Sequence, residues 1–171
     1  MTLLRFGILL LTLFLGTATA VTAQELEQEH TQTRYWVHYT QGFSTMGAGS
    51  AVGLSVDYSR HVFSIRTSAT DRIPGNGTWD VGMMYGRSVF LGSMYVSGGV
   101  GFSVIAGEQY SGLIGGNADG TMEPMLAFPV EGHLSFPLTR FAAIGVYSFL
   151  NINTNQPFGG VGAAIRIGRV K

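Results

Sequence analysis

Cysteine is absent from the 171 residues of this chain, so no disulfide framework holds the fold and no cysteine is available for lipid acylation. Charged residues are scarce at 12% of the chain, about half the share typical of soluble domains. The 10 basic and 10 acidic residues balance, so the net charge indicates neither a nucleic acid nor an anionic surface as a partner. Glycine, in contrast, is abundant at 25 residues. This composition favours a membrane barrel over a soluble globule.

The first 23 residues have the features of a secretion signal peptide. One basic residue, Arg5, precedes an apolar run from Phe6 to Leu15, and Val21-Thr22-Ala23 supplies the small residues that a signal peptidase needs. The run is about half of the roughly 20 residues that a membrane-spanning helix requires. We therefore predict a cleaved signal peptide over 1–23 and a flexible, polar lead-in over 24–33. A retained N-terminal anchor is the alternative.

From residue 34 to residue 171 the chain alternates apolar residues with small or polar ones. In the second segment, for example, Val52, Leu54 and Val56 alternate with Gly53 and Ser55. Segments of about ten residues with this period are what a membrane barrel requires, because lipid-facing and lumen-facing positions alternate. We predict eight strands, at Arg34–Gln41, Ser50–Tyr58, Val62–Thr70, Trp79–Val89, between Gly92 and Glu108, and at Pro124–Phe136, Arg140–Ile152 and Phe158–Gly168.

The connections between these strands alternate in length. The second, fourth and sixth are tight turns at Ser59–His61, Phe90–Gly92 and Pro137–Thr139, whereas longer loops are predicted at 42–49, 71–78, 108–123 and 153–157. With this pattern the chain resembles the small eight-stranded OmpA/OmpX-type outer-membrane barrels over nearly all of residues 34–171. The resemblance carries no signature motif. It implies an all-β, eight-stranded antiparallel up-and-down transmembrane β-barrel in the bacterial outer membrane, with short periplasmic turns and extracellular loops.

Charged residues on the small-residue faces of the strands are predicted to fill the barrel lumen. An eight-stranded barrel has an interior just wide enough for side chains, and buried charges must be paired. We therefore predict a charge-paired lumen without an open pore, in which Glu131 pairs with Arg66 or Arg166. The inward set is Asp57, Arg66, Asp80, Glu131, His133 and Arg166. Six aromatic residues near strand ends could form interfacial girdles on the outside: Tyr35, Trp36, Tyr58, Trp79, Tyr85 and Phe158.

One short segment suggests chemistry. His133-Leu134-Ser135 resembles locally the His-x-Ser pair of the outer-membrane lipid A deacylases. Phe136 stands where those enzymes usually have asparagine, and no acidic residue lies in the next strand to orient the histidine. The alternation also directs both residues into the lumen, away from lipid.

We predict a porin-like integral outer-membrane protein of structural or surface-interaction role, not an enzyme, with no catalytic, cofactor or metal site. It would be a monomer in contact with outer-membrane lipid, with a possible extracellular partner at its loops and no nucleic-acid partner. Two alternatives remain: a lipid-modifying outer-membrane enzyme, and a soluble secreted barrel that binds a small apolar ligand. The second would invert the faces, with the aliphatic residues inside.

Overall fold

Eight antiparallel strands form a closed barrel in a computed structural model that describes residues 33–71, 77–110 and 118–171. Each strand pairs with its neighbours in sequence, and β8 pairs with β1 to close the sheet. The predicted fold class is confirmed. The predictions for residues 1–32 lie outside the described residues. The strands are β1 (Arg34–Ser44), β2 (Gly47–Tyr58), β3 (His61–Asp71), β4 (Thr78–Leu91), β5 (Met94–Tyr110), β6 (Ala118–Pro137), β7 (Ala142–Ile152) and β8 (Phe158–Arg169).

The alternation of side chains follows the predicted faces on all eight strands. On β1, Val37 and Tyr39 are exposed on the outer wall, whereas His38 and Thr40 are buried in the lumen. Because successive side chains of a strand point to opposite faces, one correct assignment orients a whole strand. The aliphatic residues therefore cover the outside. Among the described residues, no helix is long and apolar enough to span a membrane.

The predicted loop over 42–49 is wrong. β1 and β2 continue through it and are joined by Thr45 and Met46 alone. The glycines that suggested a loop are packing residues: a Cβ added to Gly42 would overlap the backbone of Val161 on β8. Such a close approach of two strands requires a residue without a side chain. The predicted loop over 108–123 is also too long, because β5 runs to Tyr110 and β6 begins at Ala118.

The two ends of the barrel differ. We call the end that carries residue 34, residue 169 and the turns β2–β3, β4–β5 and β6–β7 the terminal end, and the opposite end the loop end. The β2–β3 turn consists of Ser59 and Arg60, whose φ angles are 50° and 69°. A two-residue hairpin turn of this kind needs positive φ at both central residues to match the twist of the strands.

Candidate functional site

The centre of the lumen is a layer of charged side chains built around Arg66 on β3. Its guanidinium donates two hydrogen bonds to Asp80 of β4, at 2.9 and 2.7 Å, and its Nε contacts a carboxylate oxygen of Glu131 on β6. Arg66 pairs across the sheet with Gly53 on one side and Gly82 on the other. The ring of His38 occupies the space that a side chain at Gly53 would take, and Ser103 occupies the space beside Gly82.

Neutral donors complete the environment of the two carboxylates. Asp80 accepts a hydrogen bond from Asn151 at 2.9 Å, and Glu131 accepts one from Tyr147 at 2.7 Å. His133 Nε2 lies 3.6 Å from the second oxygen of Glu131. One guanidinium thus stands between two carboxylates, and side-chain donors stabilise the second negative charge. The predicted charge-paired lumen is present, with Arg66 as the arginine of Glu131.

Arg166, the other predicted partner of Glu131, is held by aromatic rings. Its guanidinium carbon lies 4.9 Å from the ring centre of Trp36 and 5.0 Å from that of Tyr95, and Nη2 is 3.5 Å from the hydroxyl of Ser97. These are cation–π distances. Sequence reasoning did not find this arrangement, because strand alternation shows which face a residue occupies but not which side chains meet across the lumen.

A third carboxylate, Asp57, lies near the terminal end. It accepts hydrogen bonds from Ser88 at 2.7 Å and Tyr95 at 2.9 Å, and Arg34 lies 3.7 Å away. The guanidinium of Arg34 also covers the ring of Phe90 at 4.7 Å. Sequence analysis predicted Asp57 inside the barrel but did not assign Arg34 as its partner. The sequence did indicate that Arg34 faces the lumen, because it lies two residues from Trp36 and four from His38 and so points to the same face of β1.

Two apolar clusters close the lumen above and below the charged layer. The loop-end cluster consists of Met46, Ile105, Met122, Ala127 and Phe158. The terminal-end cluster consists of Trp36, Val62, Tyr95, Ala143 and Val170. Trp36 and Phe158 were named among the residues that could form an outer girdle. That assignment is wrong, because both are buried in the lumen, whereas Tyr35, Tyr58, Trp79 and Tyr85 are exposed outside.

Little space remains inside the barrel. A cavity beside Trp36, Glu131, His133 and Arg166 has a volume of about 20 Å³, which is room for about one water molecule. Among the described residues no group of three or more His, Asp or Glu side chains could hold a metal ion.

His133 and Ser135 do not form a nucleophile and base. Both are buried in the lumen, and the Ser135 hydroxyl has no hydrogen-bond partner among the described residues. His133 instead packs against the rings of Tyr147, at 4.8 Å, and His38, at 5.4 Å. Lipid outside the barrel does not reach either residue.

The outer wall is apolar between its two rims. Leu54, Ile65, Met83, Phe102 and Val146 are each about half or more exposed. No charged side chain of the described residues interrupts this belt, since the charged residues of the strands point into the lumen or lie toward the rims, as Arg87 and Glu123 do. The faces are therefore the opposite of those that a soluble ligand-binding barrel requires, and that alternative is wrong.

No family model matches this chain, and no curated protein matches it. Several solved structures are similar, among them three outer-membrane proteins. Neisserial surface protein A has a TM-score of 0.60 at 11% identity, over 79% of this chain and 96% of its own. The N-terminal β-barrel domain of Pseudomonas aeruginosa OprF has a TM-score of 0.53 at 10% identity, over 81% and 98%. The outer membrane enzyme PagL has a TM-score of 0.53 at 14% identity, over 77% and 98%.

At these identities the similarity establishes the fold alone. The chain has the closed eight-stranded fold of small bacterial outer-membrane β-barrels, as the resemblance in the sequence implied.

Proposed function

We propose that this chain is an integral outer-membrane protein without an open pore and with a structural or surface-interaction role. The observation that carries the proposal is the combination of an apolar outer wall with a filled lumen. An exterior belt of aliphatic and aromatic side chains suits hydrocarbon. We expect the Arg66–Asp80–Glu131 layer, with an apolar cluster at each end, to block the passage of ions. In this proposal residues 1–23 are removed on export and the barrel is a monomer.

The loop end offers the surface for an extracellular partner, and the β5–β6 hairpin dominates it. β4 pairs with β5 as far as Ala106, and β7 pairs with β6 only from Phe128 onward. Gly107 and Glu108 still lie beside Gly77 and Thr78, and the backbone of residues 109 and 110 extends past the described part of the neighbouring strand, by about 7 Å at the rise of an extended chain. Of the four loops predicted as contact surface, that over 42–49 is excluded, because it is a two-residue turn.

The last connection at this end, 153–157, is held in one shape by Asn153. The side-chain oxygen of Asn153 accepts hydrogen bonds from the backbone nitrogens of Asn155, at 3.1 Å, and Gln156, at 2.6 Å. Its amide nitrogen donates to Asn151 at 3.1 Å and to the carbonyl of Gln156 at 2.9 Å. A preorganised polar surface loses little conformational entropy on binding, which supports an interaction role here.

Cell fractionation and gel mobility test the proposal. We expect the protein in the outer-membrane fraction, and we expect it to migrate differently with and without boiling, because a folded barrel resists detergent until it is heated. Recovery in the soluble periplasmic fraction would overturn the location.

An epitope inserted between Thr154 and Asn155 tests the orientation of the barrel. Antibody should reach this epitope on intact cells, because the loop end faces outward. The matched insertion between Ser59 and Arg60 should be reached only after the outer membrane is opened. The reverse pattern would invert the orientation.

A further inference from the structure

Charges outside the lumen are segregated between the two ends of the barrel. Every basic side chain of the described residues that lies outside the lumen is at the terminal end, namely Arg60, Arg87, Arg140, Arg169 and Lys171. The acidic side chains that the structure describes either fill the lumen or lie at the loop end: Asp57, Asp80 and Glu131 inside, and Glu108 and Glu123 at the loop end. Among the described residues, the rim at the terminal end therefore carries basic side chains outside the lumen and no acidic ones.

One part of this rim is an organised cluster on the outer wall. His61 begins β3 and pairs across the sheet with Arg87 of β4. Arg87 Nη1 lies 2.9 Å from His61 Nε2, and His61 Nδ1 lies 2.8 Å from the hydroxyl of Tyr85. Phe63 packs against the ring of Tyr85 at 5.3 Å and supports it from the side of the apolar belt.

The direction of these hydrogen bonds follows from the chemistry of the groups. A guanidinium can only donate, so His61 Nε2 is the acceptor and carries no proton. The proton of the neutral ring is then on Nδ1, which donates to the oxygen of Tyr85. The hydroxyl proton of Tyr85 is consequently free to be donated elsewhere, and no acceptor for it lies among the described residues. Arg87 keeps its other N–H groups for an external acceptor.

With the proposed outer-membrane location as its premise, we propose that Arg87 and Tyr85 bind the phosphate of a phospholipid in the periplasmic leaflet. The site supplies a cationic fork and a hydroxyl donor at the edge of an apolar belt, where a headgroup phosphate lies once the acyl chains cover the wall. Arginine forks match the geometry of phosphate oxygens, and tyrosine favours the membrane interface. The surrounding basic rim favours an anionic lipid, such as phosphatidylglycerol, over a zwitterionic one.

The test is retention of lipid by the purified barrel in nonionic detergent micelles, measured by native mass spectrometry. The probes are phosphatidylglycerol, phosphatidylcholine with the same acyl chains, and inorganic phosphate. We expect phosphatidylglycerol to be retained in preference to phosphatidylcholine, and inorganic phosphate not to be retained. Arg87→Gln should weaken retention of phosphatidylglycerol about tenfold or more, as expected for loss of a hydrogen bond to a charged group, and Tyr85→Phe should weaken it in the same direction.

Tyr39→Phe is the matched control, because Tyr39 is also on the outer wall and its hydroxyl donates to Gln41 at 2.6 Å. This variant should retain lipid like the wild type, and all variants should keep the mobility shift of a folded barrel. Wild-type retention in both Arg87→Gln and Tyr85→Phe would overturn the proposal, as would retention of inorganic phosphate with the same dependence on Arg87. The micelle measurement needs only the folded barrel. If the proposed outer-membrane location is wrong, cell fractionation will show it, and the lipid-retention results will be unchanged.

Discussion

At the scale of single residues, the lumen is specified by Arg66 and the groups around it. Its guanidinium is buried with two carboxylates, and burial of charges costs more than their attraction returns unless every lone pair and proton is satisfied. Asn151 and Tyr147 provide the additional hydrogen bonds. The arrangement therefore favours a single packing of the lumen side chains, because displacement of any one of them leaves a buried charge without its partner.

Glu131→Gln should lower the free energy of unfolding by about 3–5 kcal/mol, because it leaves the buried Arg66 guanidinium with Asp80 alone. Urea unfolding in micelles, followed by tryptophan fluorescence, measures the change. A double-mutant cycle with Arg66→Gln should show coupling of about 1 kcal/mol or more, whereas the coupling in the cycle with Arg166→Gln should be weaker, because Arg166 packs against aromatic rings. Equal coupling in the two cycles would contradict the assignment of Arg66 as the partner.

Met46→Ala tests the loop-end cluster. Met46 is 4% exposed although it occupies a two-residue turn, so its side chain packs into the lumen at the loop end. Truncation should cost about 2–5 kcal/mol, the range for large-to-small changes in a core. Thr45→Ala, at the adjacent turn position, should cost less than about 1 kcal/mol in the same unfolding assay. Similar losses of unfolding free energy in Met46→Ala and Thr45→Ala would mean that the Met46 side chain does not contribute to the core.

At the scale of elements, each strand presents a lipid face and a lumen face, and the two tolerate different changes. On β5, Val100 is 58% exposed on the outer wall, while Gly101 faces inward. From alternation alone, Gly101→Ser would be a mild lumen substitution. The structure contradicts this, because a Cβ at Gly101 would overlap the backbone carbonyl of Met83 on β4. Whether a glycine position can accept a side chain therefore depends on the atoms that pack against it, not on whether it faces the lumen or the lipid.

Depth along a strand should also matter. Val104 pairs with Val81, six residue pairs from Arg87 at the terminal-end rim, whereas Val100 pairs with Tyr85, two residue pairs from Arg87. Val104→Arg should cost about 2–4 kcal/mol, as charges on the lipid face do near the midplane, and Val100→Arg should cost clearly less. Folding yield into vesicles, read from the mobility shift, measures both, with Val104→Ile as the control. A larger folding defect for Val100→Arg than for Val104→Arg would mean that the apolar belt has been assigned to the wrong depth of the wall.

At the scale of the whole molecule, closure and filling of the barrel act together. Pairing of β8 with β1 closes the sheet, so the wall has no free edge strand. Closure of the sheet does not by itself fill the lumen, which must be packed by side chains. An apolar cluster at each end and the charged layer between them fill it, together with the Asp57–Arg34 pair at the terminal end.

The layered lumen predicts a closed barrel. In planar bilayers the wild type should show no steady conductance, and Glu131→Gln should show none either, because both apolar clusters remain in place. Stability and conductance should therefore respond independently to this variant. Steady open channels in the wild type would exclude a filled lumen and require a transport role.

The sequence by itself determined the architecture and the two faces of each strand. Period-two alternation arises from local backbone geometry, so the inward position of Asp57, Arg66 and Glu131 could be predicted without knowledge of the fold. The sequence also showed the tight turns, because turn residues act over a few positions.

Only the tertiary structure decided which side chains meet. Arg66 and Arg166 have the same face and comparable depth, yet Arg66 binds Glu131 while Arg166 packs against Trp36 and Tyr95. The choice depends on register, on the tilt of strands that are far apart in sequence, and on the room left by glycines such as Gly53 and Gly82. The same holds for Gly42, which resembles a loop residue in the sequence and is a packing residue in the barrel. Alternation is a local property of one strand, whereas contacts across a lumen are set by all eight.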